Sequence, residues 1–193
     1  MKFVYPIGAT PYNQDEALAL IPRHITTQNQ LNEWEQANII EAEQWLFSRK
    51  HKNMLSLEMI KGIHKKMFDK TWKWAGKFRT YNTNIGLPYP IIQESLKTLQ
   101  DDAIYWINNK TFPTDEIASR VHHRLVFIHP FPNGNGRLAR LIIDGFLVSL
   151  GAARFSWGNK SLDEKSLVRT RYIHALQQAD GENFQPLLEF VRS

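Results

Sequence analysis

The chain has 193 residues, 42% of them hydrophobic, and a formal net charge of +5 at pH 7, which together predict one domain with a sizeable core. The absence of cysteine excludes disulfides and thiolate chemistry, and it favours a reducing compartment such as the cytoplasm. No apolar run reaches the roughly 20 residues of a membrane span, and the basic charge permits a nucleic-acid partner without requiring one.

The predicted elements begin with an irregular arm over residues 1–27, which contains a short turn of helix near residues 14–20. Residues 28–193 are predicted to form a single domain. Apolar residues at steps of three and four predict a long amphipathic helix over residues 30–50. Its predicted buried stripe consists of Leu31, Trp34, Asn38, Ala42 and Trp45.

A second helix is predicted from the N-cap Ser56 to about Phe68. Trp72, Trp74 and Phe78 predict a rigid aromatic corner. After this corner, residues 79–92 mix β-favouring residues with asparagine and proline, which predicts a short β-hairpin. Pro88 and Pro90 lack a backbone N–H, so we expect this hairpin to be an edge or a flap and not a central strand.

Helical periodicity returns in the second half of the chain. The predicted helices there span about 94–108, 114–128, 136–150, 163–179 and 183–191. The sequence therefore predicts an all-α fold with one short β-hairpin flap.

The twelve residues from His129 to Arg140, HPFPNGNGRLAR, join two of these predicted helices. Asn-Gly pairs often form hairpin turns, but helical periodicity on both sides makes this segment a loop that leads into a helix N-terminus. Backbone N–H groups and the positive end of the helix dipole bind anions at such a terminus. We predict a phosphate site in which Gly134 and Gly136 adopt positive φ values and allow close approach to the backbone.

Three side chains that carry charge or titrate flank this predicted site. Arg137 and Arg140 lie on one face of the following helix and can clamp a phosphate together. His129 lies at the end of the preceding helix, and a histidine pKa near neutrality suits it to accept a proton from a hydroxyl that attacks the phosphate.

The motif resembles the signature of the Fic/DOC (Fido) family, H-x-F-x-[DE]-G-N-G-R-x-x-R, and departs from its fixed positions only at Asn133. The segments 20–39, 72–86, 122–137 and 186–193 further resemble the bacterial subfamily called mobile mystery protein B. The resemblance covers nearly the whole chain. It implies a helical Fic-type core, with the motif loop between two central helices and a hairpin flap at about residues 80–92.

The resemblance also implies an activity, which is transfer of AMP from ATP to a Ser, Thr or Tyr hydroxyl of a target protein. His129 would be the general base, and Arg137 would stabilise charge on the phosphates. The loop amides near Gly134, Asn135 and Gly136 would hold the phosphates. Arg140 would reach the terminal phosphate.

The flap would dock the target backbone as an added strand. The flap residues concerned are Thr83, Asn84, Ile85 and Gly86. The subfamily resemblance implies one further partner, a small helix-turn-helix protein called mobile mystery protein A. We expect no membrane partner and no nucleic-acid partner.

Asn133 stands where most active relatives place an Asp or Glu that binds Mg²⁺. A neutral amide oxygen remains a ligand but lacks a full charge of attraction, so we expect weak or water-mediated Mg²⁺ binding. Two alternatives to AMP transfer stay open, a nucleotide-binding regulator with little or no turnover and an enzyme that transfers another phosphate-containing group. A nucleic-acid-binding module would rest on the basic charge alone.

Many relatives carry an inhibitory helix with the pattern [ST]-x-x-x-E-[GN], whose glutamate pairs with the second arginine of the motif. No segment of this chain matches that pattern. Glu35 or Glu41 on the first long helix could take this role, although their positions are typical of helix-surface residues.

Overall fold

The computed structural model describes residues 18–158 and 167–193, and within them it contains seven α-helices and no β-strand. In chain order the helices are α1 (Gln28–Phe47), α2 (Leu57–Phe68), α3 (Ile92–Asn109), α4 (Thr114–Ile128), α5 (Asn135–Ser149), α6 (Leu167–Asp180) and α7 (Gln185–Val191). The predicted all-α class is confirmed.

Two helix starts follow directly from local side-chain chemistry. At α1, the Gln30 N–H donates to Thr27 Oγ1 at 3.3 Å, and the Thr27 N–H donates to Gln30 Oε1 at 3.1 Å, which is a capping box. At α2, the predicted N-cap Ser56 accepts a hydrogen bond from the Met59 N–H at 3.2 Å. These side chains satisfy N–H groups that the helix itself leaves without acceptors.

The helix α5 lies at the centre of the fold and packs against α1, α2 and α4, while α3 packs on α4 and α6 packs on α7. Most of its side chains are buried, including Leu138, Ala139, Leu141, Ile142, Ile143, Phe146 and Leu147. Because close-packed interiors resist displacement, the N-terminus of α5 has a fixed position relative to the other helices.

The buried stripe of α1 differs from the predicted one. The buried residues are Leu31, Glu35, Asn38, Ala42 and Leu46. Trp34 is 39% exposed and Trp45 is half-buried. Neighbouring helix positions diverge by about 100°, so Trp34 and Glu35 cannot both face the core. The carboxylate takes the inner position because Trp72 and Arg137 donate hydrogen bonds to it.

The predicted β-hairpin flap is wrong, since residues 80–88 form an irregular loop that leads through a 3-10 turn, Tyr89–Ile91, into α3. The side chain of Arg79, only 3% exposed, replaces the ladder of a hairpin. Its guanidinium donates to four backbone carbonyls, those of Tyr81, Leu87, Ile128 and His129. One side chain therefore satisfies carbonyl groups that a second strand would otherwise satisfy.

Parts of the predicted arm and of the helix predicted over 163–179 lie outside the described residues, namely 1–17 and 159–166. The division into an arm and one domain stays a prediction. In the two described ranges, no helix is both long and apolar enough to cross a membrane.

Two fully buried histidines, His64 and His122, make stability depend on pH. Burial lowers the pKa of each to about 3 from the ordinary 6.5. Below pH 6.5 the unfolded chain takes up protons that the folded protein does not, so stability is complete above pH 6.5 and falls as the pH falls. We expect each histidine to cost ~2 kcal/mol at pH 5, measured by urea unfolding at pH 7, 6 and 5.

The variants His64→Gln and His122→Gln should each lower the number of protons taken up on unfolding at pH 5 by about one. The exposed His174 supplies the matched control, and His174→Gln should keep the wild-type dependence. An unfolding free energy that is the same at pH 7 and pH 5 would contradict the neutral buried histidines.

Candidate active site

The two glycines of the motif loop differ in conformation. Gly134 is the N-cap of α5 with a φ of 79°, and a Cβ there would lie 2.5 Å from the Phe68 ring, so only glycine fits. Gly136 lies in the first turn of α5 with a helical backbone, so the predicted positive φ at Gly136 is wrong. A Cβ on Gly136 would meet no atom within 4 Å, so this glycine leaves the helix terminus open to a ligand.

The side chain of Asn135 braces the loop. Its Oδ1 accepts from the Phe131 N–H at 2.9 Å, and its Nδ2 donates to the Phe131 carbonyl at 2.8 Å. Asn135 is 3% exposed, and Phe131 is completely buried in the core. Any contact of residue 135 with a phosphate therefore comes from its backbone N–H, at the start of the helix.

His64 of α2 supports the loop from within the core. Its ring stacks on the Phe131 ring with centroids 3.8 Å apart and planes 4° apart. The Gly76 N–H donates to Nδ1 at 2.9 Å, so the proton is on Nε2, which donates to the Asn133 carbonyl at 3.1 Å. Burial lowers the pKa of His64 to about 3, so this tautomer is neutral at pH 7.

His129 follows α4 in the left-handed conformation, with a φ of 54°, and is 7% exposed. Its Nδ1 lies 3.3 Å from the Val126 carbonyl, so Nδ1 carries the proton and Nε2 is the basic nitrogen. Burial lowers the pKa of His129 to about 4, against the effect of this hydrogen bond, and the Arg79 charge lowers it further. The expected pKa near neutrality is therefore wrong, and His129 is a neutral base at pH 7.

Of the four predicted flap residues, Gly86 lies against His129, although no hairpin holds it there. A Cβ on Gly86, whose φ is 98°, would lie 2.5 Å from His129 Cβ, which shows how closely the loop approaches the histidine. Thr83 Oγ1 donates to the Ile85 carbonyl at 2.6 Å and closes a tight turn. Asn84 and Ile85 are exposed at the rim.

Arg137 is held by a buried carboxylate from α1. Its Nη1 lies 2.6 Å from Glu35 Oε2, and Trp72 Nε1 donates to Glu35 Oε1 at 2.6 Å. The guanidinium lies over the Phe68 ring, 5.0 Å from the centroid. Glu35 is 4% exposed and contacts the first arginine of the motif, so its expected surface position is wrong. Glu41, by contrast, forms a surface ion pair with Lys70.

Arg140 is held by α6. Its guanidinium donates to the Tyr172 hydroxyl, which lies 2.9 Å from His122 Nε2. Burial lowers the pKa of Arg140, and the nearby charges of Arg137 and Arg169 lower it as well, while Tyr172 opposes them. An anion bound among these guanidinium groups would relieve their mutual repulsion.

Asn133 does not provide a good Mg²⁺ site. Its Oδ1 accepts from the Gly134 N–H at 2.6 Å and is thus turned towards the backbone. Across residues 18–158 and 167–193, no three His, Asp or Glu side chains cluster as metal ligands. Since Mg²⁺ is usually held by one or two carboxylates in addition to phosphate, a single engaged amide oxygen does not fit it.

Three residues that shape the site were absent from the sequence predictions: His64, Arg79 and Tyr172. The signal for His64 was its place on the apolar stripe of α2, where a polar residue needs internal hydrogen-bond partners. Arg79 and Tyr172 offered no local signal, because each contacts a residue 50 positions away in the chain.

Comparisons with a family model and with curated proteins relate this chain to the same family. Residues 54–147 match the model of the Fic/DOC family. Protein adenylyltransferase fic-1 of Caenorhabditis briggsae is 32% identical over 110 residues, which cover 55% of this chain and 22% of that protein. Protein adenylyltransferase Fic of Aedes aegypti is 28% identical over 120 residues, which cover 61% of this chain and 23% of that protein. The chain thus spans less than a quarter of the length of these relatives.

Solved structures share the fold over most of the chain. The BepC protein of Bartonella tribocorum, a VirB-translocated effector with bound AMPPNP, has a TM-score of 0.70 at 21% identity, covering 93% of this chain and 97% of that one. A fragment of Fic-1 from C. elegans has a TM-score of 0.68 at 23% identity, covering 90% of this chain and 50% of that one. The helical architecture is therefore that of Fic domains.

The two loop glycines predict a matched pair of variants. Gly134→Ala forces a methyl group against Phe68 at a positive φ, and we expect a loss of ~2–4 kcal/mol in the free energy of unfolding. Gly136→Ala adds a good helix former at an open position and should stabilise by up to ~1 kcal/mol. Its methyl group blocks the helix terminus, so ATP affinity should fall about tenfold or more.

Urea unfolding and titration calorimetry with ATP measure the two effects separately. Equal destabilisation by both variants would contradict the different conformations of the two glycines. An unchanged ATP affinity in Gly136→Ala would show that phosphate does not approach this helix terminus.

Proposed function

We propose that this chain, whose residues 54–147 match the model of the Fic/DOC family, transfers AMP from ATP to a Ser, Thr or Tyr hydroxyl of a target protein. The observation that carries this proposal is the neutral His129, whose Nδ1 bonds to the Val126 carbonyl at the start of the loop that leads into α5. The names of the adenylyltransferase relatives and the AMPPNP bound by BepC support ATP as the substrate.

His129 Nε2 takes the proton of the target hydroxyl as the hydroxyl oxygen attacks the α-phosphorus of ATP. A bond forms between that oxygen and the α-phosphorus, and the bond from the α-phosphorus to the oxygen bridging to the β-phosphate breaks. Pyrophosphate leaves, and AMP remains on the target. With a pKa of about 4, the imidazole is unprotonated and ready to accept a proton at pH 7.

The phosphate charge is balanced by fixed positive groups. The first-turn N–H groups of Asn135 and Gly136 face the phosphates, and Arg137 and Arg140 supply full charges. Glu35 and Tyr172 hold the two guanidinium groups in place. Such preorganised donors stabilise a phosphoryl-type transition state without rearrangement during the reaction.

The target docks at the flap loop in this proposal. Gly86 lies against His129, and Thr83, Asn84 and Ile85 precede it in the same loop, so an extended target segment can pair with their backbone close to the histidine. The helix-turn-helix partner and the cytoplasmic location stay predictions. Mg²⁺ has no assigned protein ligand in this mechanism, because Asn133 Oδ1 is engaged with the backbone.

ATP labelled at the α- or the γ-phosphate tests the reaction. Incubated with the enzyme and a cell lysate, only the α-label should appear on protein. His129→Ala should lower the rate by about 10²–10⁴, because a positioned general base contributes that much. His123→Ala removes a histidine of α4 that pairs with Asp180, so it is the matched control and should keep the rate. If only the γ-label appeared on protein, the reaction would be phosphorylation and the proposal of AMP transfer would be wrong.

A second candidate function is a nucleotide-binding regulator with little turnover. The specific observation that favours it is Asn133, a neutral residue whose Oδ1 bonds to the Gly134 N–H. Such a protein would bind ATP through the helix terminus and the arginines without using it.

The variant Asn133→Asp separates the two functions. The transferase proposal predicts that the wild type already modifies protein. A wild type that binds ATP and modifies nothing, beside an Asn133→Asp variant that modifies protein in the presence of Mg²⁺, would establish the regulator instead.

A further inference from the structure

A cavity of about 510 Å³ lies outside the motif loop. Its described lining comes from Ile21 and from residues 61–77. Its charged lining residues are Lys61, Lys65, Asp69, Lys73 and Lys77. We call the surface formed by the four lysines the lysine groove.

The lysine groove has four lysines and a single aspartate, Asp69, among its described lining residues, so positive charge is in excess there. In the part of the chain that the structure describes, none of the four lysines has a carboxylate within 4.0 Å of its ammonium nitrogen, whereas Lys70 pairs with Glu41 and Lys97 with Asp101. Asp69 also makes no ion pair there. Like charges four residues apart on a helix, such as Lys61 and Lys65, cost stability unless an anion offsets them.

The shape of the lysine groove suits a chain segment with acidic side chains. A Cβ on Gly62 would meet no atom within 4 Å, so the wall there is open, and Gly76 turns the backbone with a φ of 76°. Ile21, 42% exposed, adds an apolar edge. A volume of this size holds a few side chains.

The aromatic residues around the lysine groove do not favour nucleic acid. Single-stranded nucleic acid is held by aromatic faces on which bases stack. Trp72 is 1% exposed, and the Lys61 ammonium nitrogen lies over the Phe78 ring at 4.4 Å from the centroid. Charge without an open stacking face fits the carboxylates of a peptide better.

We propose that the lysine groove binds an acidic segment of a partner protein. The segment carries several carboxylates for the four lysines and an apolar side chain for Ile21. This site is separate from the motif loop, so its binding is measured without any group transfer and does not depend on the transferase function.

Fluorescence anisotropy of a short labelled peptide tests the proposal with the full chain. The peptide contains glutamates and aspartates with one central leucine, and a glutamine and asparagine version is the neutral control. We expect binding of the acidic peptide that weakens as salt rises. The double variants Lys61→Ala with Lys65→Ala, and Lys73→Ala with Lys77→Ala, should each weaken it about tenfold.

The double variant Lys50→Ala with Lys52→Ala removes the same charge from the exposed cluster at Arg49 to Lys52, and it should bind the peptide as the wild type does. Equal weakening in this control would reduce the effect to diffuse attraction and overturn the proposal. Absence of binding at low salt would also overturn it. A single-stranded oligonucleotide that binds more tightly than the peptide, and loses affinity in the groove variants, would replace the acidic segment with nucleic acid.

Discussion

The stacking of neutral His64 on Phe131 is the contact on which the motif loop depends. The two ring nitrogens of His64 bond to Gly76 and Asn133, so a single side chain of α2 joins the aromatic corner to the loop before α5. A buried imidazole that bonds at both nitrogens has one tautomer and one orientation. The loop between α4 and α5 thereby acquires a fixed shape even though it has few backbone hydrogen bonds of its own.

The charges around that loop come from helices distant in the chain. Glu35 of α1 holds Arg137, and Tyr172 of α6 holds Arg140. Three guanidinium groups lie near each other if Arg169 is included, and burial and mutual repulsion both lower the pKa of Arg140. These guanidinium groups repel one another, and a bound polyphosphate would offset this repulsion with its negative charge. The same fixed positions of Arg137 and Arg140 therefore serve both phosphate binding and catalysis in the proposed mechanism.

Local chemistry predicted the elements well. The N-cap Ser56 and the start of α4 at Thr114 were correct, because capping and periodicity depend on neighbouring residues. The hairpin prediction was wrong because the Arg79 side chain makes hydrogen bonds that a β-ladder would otherwise make. Its partners Ile128 and His129 are distant in the chain, so the sequence near residue 80 does not indicate these bonds. The predicted surface position of Glu35 and the predicted near-neutral pKa of His129 were wrong for a related reason. Tertiary contacts decide which side chains are buried and which partners stabilise them there.

The state of His129 at neutral pH is the point on which the transferase mechanism depends most. Nitrogen NMR of the labelled imidazole reads both the tautomer and the pKa directly. The structure predicts a proton on Nδ1 at pH 7 and a titration midpoint near 4. A proton on Nε2, or a midpoint at the ordinary value of 6.5, would contradict a buried and neutral base at this position.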